Sequence, residues 1–141
     1  MPAISPFCHL LGINPATLSP GEFALLEAEL FLHICKELKE HFRVQHKNYF
    51  YLMRFTEEME NTMLETNLAR LITKDILSTE EYNLAGIARY ADASEDVVQD
   101  VIDGRNERPS ATLLCRIIEL HRSVRRELYS SIMKKVVKNE K

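Results

Sequence analysis

The sequence predicts an all-α fold, and three observations carry this prediction. Apolar residues recur every three or four positions along most of the chain, the spacing that places them on one face of a helix. Glycine and proline, which interrupt helices, number only 4 and 5 among 141 residues. The apolar share of 45% and the charged share of 28% are ordinary for a soluble globular protein. A chain of this length can form one domain with a single buried core, or two small subdomains that share a core.

The net charge of −3 gives the chain no overall attraction to nucleic acid or to an anionic membrane. Any DNA binding must therefore depend on a local patch. Three cysteines, an odd number at unrelated positions, favour a reduced cytoplasmic protein over a disulfide scaffold. No apolar run approaches the roughly 18 residues of a membrane span, and the N-terminus lacks the layout of a signal peptide.

The first helix is predicted to follow an irregular segment, residues 1–18, whose apolar side chains we expect to lie along the core. Ser19-Pro20-Gly21-Glu22 has the pattern of a capping box with proline at the first helical position. The helix is expected to run to about Arg43. Its apolar face comprises Phe23, Leu26, Leu30, Ile34, Leu38 and Phe42.

The next segment, Asn48 to Leu77, shows two apolar stripes that are displaced from each other. The first stripe consists of Tyr49, Leu52, Phe55, Met59 and Met63, and the second of Leu64, Leu68, Leu71 and Ile76. The displacement predicts either a kink or two helices that meet near Thr66-Asn67. The run from Tyr49 to Phe55 is apolar nearly all round, so we expect it to be enclosed on several sides. A self-association interface is the main alternative, and a small-ligand pocket a weaker one.

Two short amphipathic helices are predicted after this segment. The first runs from Asn83 to Ala91, and a tight turn, Asp92-Ala93-Ser94, follows it. Ser94 is a good N-cap for the second helix, which has valines on one side and acidic residues on the other. Gly104 lies where a helix usually ends. Two such helices describe a helix-turn-helix, whose second helix commonly enters a DNA major groove.

This stretch resembles the Cro and lambda-repressor-like helix-turn-helix domains over about 38 residues of 141. The features that match in order and spacing are Ile87-Ala88, Ala93-Ser94, Val98, Val101, Gly104, Pro109-Ser110 and the apolar run Leu113, Leu114, Ile117 and Ile118. The chain departs from the family at Leu84, where Gln is usual, and at Asp92, where Gly is usual. The loop from Gly104 to Pro109 is one residue longer, and the groove-facing side of the second helix carries four acids.

The resemblance implies that double-stranded DNA is the partner. Base reading would fall to Glu95, Asp96 and Gln99, since carboxylates accept a hydrogen bond from cytosine and Gln pairs with adenine. Phosphate contacts would fall to Ser94, Arg105, Asn106 and Arg108. Residues 104–126 carry six arginines and two glutamates, a local surplus of four positive charges. The acidic residues on the second helix repel phosphates. The alternative is therefore that the helix-turn-helix is retained only as a structure and that its outer face binds a protein.

One long helix is predicted from Ser110 to about Val137. Its apolar stripe continues beyond His121 and must be covered by the N-terminal helices of the same chain, by those of a second copy, or by both. We expect both, because the aromatic and methionine segment from Tyr49 to Phe55 supplies more apolar surface than one helix usually buries. A homodimer is also expected because a single small helix-turn-helix buries too little surface for tight binding. The predicted dimerisation residues are Tyr49, Leu52, Phe55, Val124, Leu128 and Ile132.

Enzymatic chemistry finds little support in this sequence. It contains no glycine-rich phosphate loop and no nucleophile elbow. Its cysteines and histidines lack the paired spacing of a zinc module, so we expect no metal and no cofactor. His121 lies within an apolar stripe, which predicts a hydrogen-bonded histidine in the core or at an interface.

The predicted organisation has three parts. Residues 1–66 form an N-terminal helical and dimerisation part, residues 67–120 the helix-turn-helix domain, and residues 121–141 a C-terminal helix extension that packs on the N-terminal part. The predicted function is a sequence-specific DNA-binding transcriptional regulator that acts as a homodimer. The alternative is a degenerate helix-turn-helix that serves as a protein–protein interaction module and binds no DNA.

Overall fold

The computed structural model describes residue 17 and residues 19–139, with side chains to residue 135. The helices in this part are α1 (Pro20–Gln45), α2 (Lys47–Leu52), α3 (Glu57–Ser78), α4 (Leu84–Ala91), α5 (Glu95–Ile102), α6 (Ala111–Val124) and α7 (Arg126–Asn139). No strand occurs among these residues, and the all-α prediction is confirmed. No helix in the described part is long and apolar enough to cross a membrane. The expectation for residues 1–18 lies outside the described residues, apart from Thr17.

α1 begins and ends close to its predicted limits. The capping box is present, since the Ser19 amide donates to the Glu22 carboxylate at 3.1 Å and the Glu22 amide donates to the Ser19 hydroxyl at 3.2 Å. These bonds lower the pKa of Glu22. The helix ends at Gln45, and His46 leaves helical geometry with φ −103° and ψ 16°.

The next break lies well before its predicted position. Residues 66 and 67 are inside α3, which is one helix, whereas the chain turns between α2 and α3. Arg54 adopts a left-handed φ of 55°, and the Thr56 hydroxyl caps α3 by accepting from the Met59 amide at 3.2 Å. The first apolar stripe begins in α2, crosses the turn and continues into the first turns of α3, whereas the second lies wholly within α3, so the turn displaces one from the other. Most of the first stripe lies outside the core.

α3 lies at the centre of the fold. It packs against α1, α5 and α6, while α4 packs against α5 and α6, and α7 against α1 and α6. Fully buried side chains from α1, α3, α4, α5 and α6 belong to a single core, to which α7 also contributes. The sequence division at residues 66 and 67 therefore falls inside the helix that joins the two parts.

The prediction of a single long C-terminal helix from Ser110 is wrong. α6 ends at Val124, and Arg125 has φ −126° and ψ 55° before α7 begins. The Arg125 guanidinium binds the Asp75 carboxylate through Nε at 2.9 Å and Nη2 at 3.0 Å. This pair holds the break against α3. The change in direction lays α7 along α1, where Tyr129 and Met133 are each 1% exposed.

The predicted dimerisation residues divide into two groups. In the C-terminal group, Ile132 is buried within the chain, and Val124 and Leu128 are half-buried against its core. In the other group, Tyr49 and Leu52 are exposed and Phe55 is half-buried. The expectation that this aromatic segment is enclosed on several sides is wrong. α2 is only six residues long and packs mainly on α1, so it buries one side chain, that of Phe50.

Candidate nucleic-acid interface

α4 and α5 form as predicted and are joined by Asp92, Ala93 and Ser94. The Asn83 side chain caps α4 by accepting from the Gly86 amide at 2.8 Å. At the other end Asp92 is left-handed, with φ 54° and ψ 48°. The amides of Asp92 and Ala93 donate back to Arg89 and Ala88 carbonyls, the pattern of a Schellman motif. Aspartate replaces the usual glycine here, because its short polar side chain tolerates this conformation.

α5 starts and stops through local signals. The Ser94 hydroxyl accepts from the Val97 amide at 3.2 Å, and Val98 and Val101 are buried beneath the helix. Gly104 has φ 78°, a conformation that most other residues avoid. The Arg105 amide donates back to the Asp100 carbonyl at 2.9 Å, so the exit loop folds closely over the end of α5.

The last carbonyl of α4 and the last carbonyl of α5 each accept a hydrogen bond from an arginine of a neighbouring helix. Arg116 of α6 donates to the Ala91 carbonyl at 3.0 Å and lies 3.7 Å from the Asp92 carboxylate. Arg70 of α3 donates to the Ile102 carbonyl at 2.8 Å. Final helical carbonyls lack partners within their helix and carry partial negative charge. These bonds therefore stabilise both helix ends and tie α4 to α6 and α5 to α3.

Sequence reasoning misses this use of both arginines. In the sequence, Arg116 belongs to the basic residues available to a phosphate backbone, and nothing distinguishes Arg70. Arg116 interrupts the apolar sequence of α6, where its neighbours Leu113 and Ile117 are buried. A charged residue in that setting usually has a partner. The partner is a backbone carbonyl 25 residues away, which no local pattern reveals.

The three predicted base-reading residues lie together on the outer side of α5. Glu95 and Asp96 are exposed in its first turn, and Gln99 is half-buried one turn later. The Gln99 amide donates to the Asp103 carboxylate at 2.8 Å. Gln99 must exchange this bond before it can pair with another group.

The four predicted phosphate-contacting residues flank the same face. Ser94 is exposed at the N-terminus of α5, and Arg105, Asn106 and Arg108 follow its C-terminus. Arg105 is 76% exposed and lies 3.9 Å from the Asp100 carboxylate. The Asn106 side chain accepts from the Arg108 amide at 3.2 Å and so shapes the loop. The side chains of Arg105 and Arg108 are both exposed to solvent.

The charge on this face is more negative than the sequence count indicates. The carboxylates of α5 and its C-cap are those of Glu95, Asp96, Asp100 and Asp103. Only Arg105 and Arg108 of the exit loop oppose them closely along the chain. Arg116 and Arg125, which contributed to the local positive surplus, are bound to Ala91 and Asp75 instead. The α5 face therefore has no positive surplus of its own.

A buried polar cluster joins α3, α6 and α7 away from this face. His121 is fully buried, with Nε2 2.7 Å from Asp75 and Nδ1 2.8 Å from the Tyr129 hydroxyl. The prediction of a hydrogen-bonded core histidine is confirmed. Hydrogen bonds from His121 and Arg125 hold the pKa of Asp75 well below its usual range, and burial raises the pKa of Tyr129. In a neutral imidazole, Nε2 then donates to the ionised Asp75, and Nδ1 accepts from the tyrosine hydroxyl.

Neither thiol that the structure describes is activated. Burial raises the pKa of Cys35 to about 11 and also raises the pKa of Cys115, so both remain protonated at neutral pH. Among residues 17 and 19–139, no three His, Cys, Asp or Glu side chains are grouped to hold a metal ion. Cys8 and His9 lie outside the described residues.

The chain was compared with known proteins at three levels. It matches no protein-family model, no curated protein and no solved structure. A functional proposal for this chain therefore rests on the geometry of α4, α5 and the loop after α5.

Proposed function

We propose that α4 and α5 form a DNA-binding helix-turn-helix and that the protein is a sequence-specific transcriptional regulator that acts as a homodimer. One observation carries this proposal. The inner side of α5 is locked to the fold through Val98, Val101 and the bond from Arg70, whereas its outer side is uncovered by the described chain. A short helix held at both ends with an open outer face suits entry into a major groove.

The residues of this face divide the work of binding. Glu95 or Asp96 accepts a hydrogen bond from a cytosine amino group, and Gln99 pairs with adenine once it releases Asp103. Arg105 and Arg108 approach the phosphates, which supply most of the affinity. Because the α5 acids oppose nonspecific attraction, we expect weak binding to random DNA and a shallow salt dependence.

The test is a titration of fluorescent duplexes, taken from a random pool after selection, at about 50 mM and about 200 mM salt. Changing both Arg105 and Arg108 to Ala should weaken binding to every sequence. It should also flatten the salt dependence by about one unit of slope per lost phosphate contact. The matched control changes Lys36 and Lys134 to Ala, since both are cations on other helices. Equal slopes in the two double variants, or no selected duplex at all, would contradict the proposal.

The acidic face favours a second candidate function, a module that binds a basic protein segment. Four carboxylates on eight helical residues and their C-cap attract arginine-rich or lysine-rich peptides and repel phosphates. The two functions respond oppositely to changing Glu95, Asp96, Asp100 and Asp103 to their amides. A DNA-binding protein should then bind random DNA more tightly, because the repulsion is gone. An interaction module should lose an arginine-rich peptide that the wild type binds, and neither form should select a duplex.

A further inference from the structure

Exposed large hydrophobic side chains concentrate around α2. Ten such side chains occur among the described residues, and six of them fall within residues 44–59. These six, which we call the α2 surface, are Val44, Tyr49, Tyr51, Leu52, Met53 and Met59. The other four are Leu25, Leu32, Tyr90 and Val97, which are spread over three other helices. A concentration of this kind differs from the scattered apolar residues of an ordinary surface.

Part of the α2 surface continues onto the start of α3. The Tyr49 ring lies edge-on to that of Phe55, with centroids 5.9 Å apart, and Phe55 and Met59 line one shallow groove. Tyr49 is 48% exposed and Tyr51 is 82% exposed. Since a buried aromatic ring removes roughly 150–250 Å² from water, these two rings alone leave on the order of 250 Å² uncovered. Tyrosine side chains are enriched at protein–protein interfaces, where the ring is buried and the hydroxyl finds a partner.

The charges at the rim of the α2 surface identify the partner. Lys47 and Arg54 supply exposed cations, and Glu57 and Glu58, which follow Arg54 along the chain, supply exposed carboxylates. None of these four side chains makes an ion pair with another residue in the described part of the chain. A rim with unpaired charges of both signs is complementary to a copy of itself rotated by a two-fold axis. A partner of one charge sign would leave half of the rim unpaired.

The length of α3 agrees with the same arrangement. The α2 surface lies at the N-terminus of α3, and α5 is bound to this helix through Arg70, thirteen residues after Glu57. Thirteen residues span about 20 Å at 1.5 Å per residue. If the two α3 helices run away from a two-fold axis at α2, their bound α5 helices are separated by about 40 Å. This distance is close to the 34–36 Å between successive half-sites on one face of DNA.

We propose that the α2 surface is the isologous dimer interface of this protein, occupied by the α2 surface of a second copy. The inference deepens the proposed function, from which it takes the homodimer and the DNA half-site spacing. α7 is not part of this interface, because its buried residues already contact α1 of the same chain.

The experiment measures mass by light scattering without DNA, from about 1 to about 100 µM, the range of a moderately tight dimer. Wild type should have twice the mass of one chain at the upper concentrations. Leu52→Asp should shift dissociation at least tenfold higher in concentration, because a charge would be buried between copies. The matched control is Leu32→Asp, since Leu32 is 67% exposed and Leu52 is 76% exposed. Lys47→Glu keeps the apolar surface and should weaken the dimer several-fold at low salt.

Each other outcome overturns the proposal. A monomeric wild type would exclude the dimer. Protection of Tyr51 from surface labelling in that monomer would show that residues 1–16 of the same chain cover the α2 surface. A dimer that survives Leu52→Asp, or that Leu32→Asp disrupts equally, places the interface elsewhere. The DNA result is separate, because a protein that dimerises through α2 and selects no duplex contradicts only the proposed function.

Discussion

Asp75 is the residue on which the junction of three helices depends. Its carboxylate accepts from Nε2 of His121, and from both Nε and Nη2 of Arg125. Its side chain is 13% exposed, whereas that of Arg125 is 40% exposed, so water screens part of this ion pair. Because water screens the ion pair, the hydrogen bonds to the carboxylate contribute most to holding Asp75, His121 and Arg125 together near the core.

We expect Asp75→Asn to lower the free energy of unfolding by about 1.5–3 kcal/mol at pH 7, because bonds to a charged acceptor are replaced by bonds to a neutral one. The folded-state pKa of Asp75 lies below its ordinary value of 3.8. Its contribution is therefore complete above that value and is lost as the pH falls toward the folded pKa. Urea unfolding at several pH values should show the difference between wild type and variant shrinking below about pH 4.

The control is Asp100→Asn, because Asp100 lies 3.9 Å from an arginine that is 76% exposed. Exposed pairs of this kind contribute about 0–1 kcal/mol. Equal effects of the two substitutions would show that the Asp75 cluster has no special role in stability.

At the scale of the element, the residues at the ends of the helices determine where each helix begins and ends. Gly104 ends α5 with φ 78°, and a Cβ there would meet the Arg70 guanidinium at 3.5 Å, an ordinary contact. The cost of a side chain at this position is therefore conformational and not steric. Gly21 provides the opposite case, since it lies in the first turn of α1 with nothing within 4 Å of its Cβ position.

The same substitution should consequently act in opposite directions at these two glycines. Gly104→Ala should destabilise the protein by about 1–2 kcal/mol, the cost of a left-handed residue with a Cβ. Gly21→Ala should stabilise it by up to about 1 kcal/mol, because alanine favours the helix and narrows the unfolded ensemble. Thermal unfolding of both variants measures the two shifts. A lower melting temperature for Gly21→Ala, or an unchanged one for Gly104→Ala, would contradict this account of the helix ends.

At the scale of the whole molecule, α3 connects the other helices of the described chain through one buried core. It packs against α1 on one side and against α5 and α6 on the others, and the buried side chains of all these helices form one core. An independently folding domain that starts near residue 67 would have to separate α3 from α1. The side chains of α3 that pack against α1 would then be exposed to water.

We therefore expect Leu38→Ala in α1 to destabilise α4 and α5 as well as α1. Leu38 is 0% exposed, and the loss should be about 2–5 kcal/mol, from lost transfer energy and the cavity left behind. Hydrogen exchange followed by mass spectrometry measures this loss separately in each helix. Leu32→Ala in the same helix is the control and should change stability by no more than about 0.5 kcal/mol. Undiminished protection of α4 and α5 in the Leu38 variant would instead indicate two independent units.

The helix starts and ends that could be predicted from the sequence depend on a few adjacent residues. The capping box at Ser19, the caps at Ser94 and Ser110, and the end of α5 at Gly104 all follow from this local chemistry. The outer face of α5 was predictable for the same reason, since its exposed residues follow from helical periodicity within eight residues. The charge balance of this face was not predictable, because Arg116 and Arg125 bind groups elsewhere in the fold.

By itself, the sequence determined that the chain is helical, where α4 and α5 begin and end, and which residues face outward from α5. Hydrogen bonds and dihedral preferences within one or two turns are sufficient for these features. The tertiary structure alone decided that the chain breaks at Arg125, that α7 buries Tyr129 and Met133 beside α1, and that α2 leaves Tyr49 and Tyr51 exposed. The Arg125 break is held by Asp75, 50 residues away, and periodicity cannot show which distant surface will be available to bury a stripe.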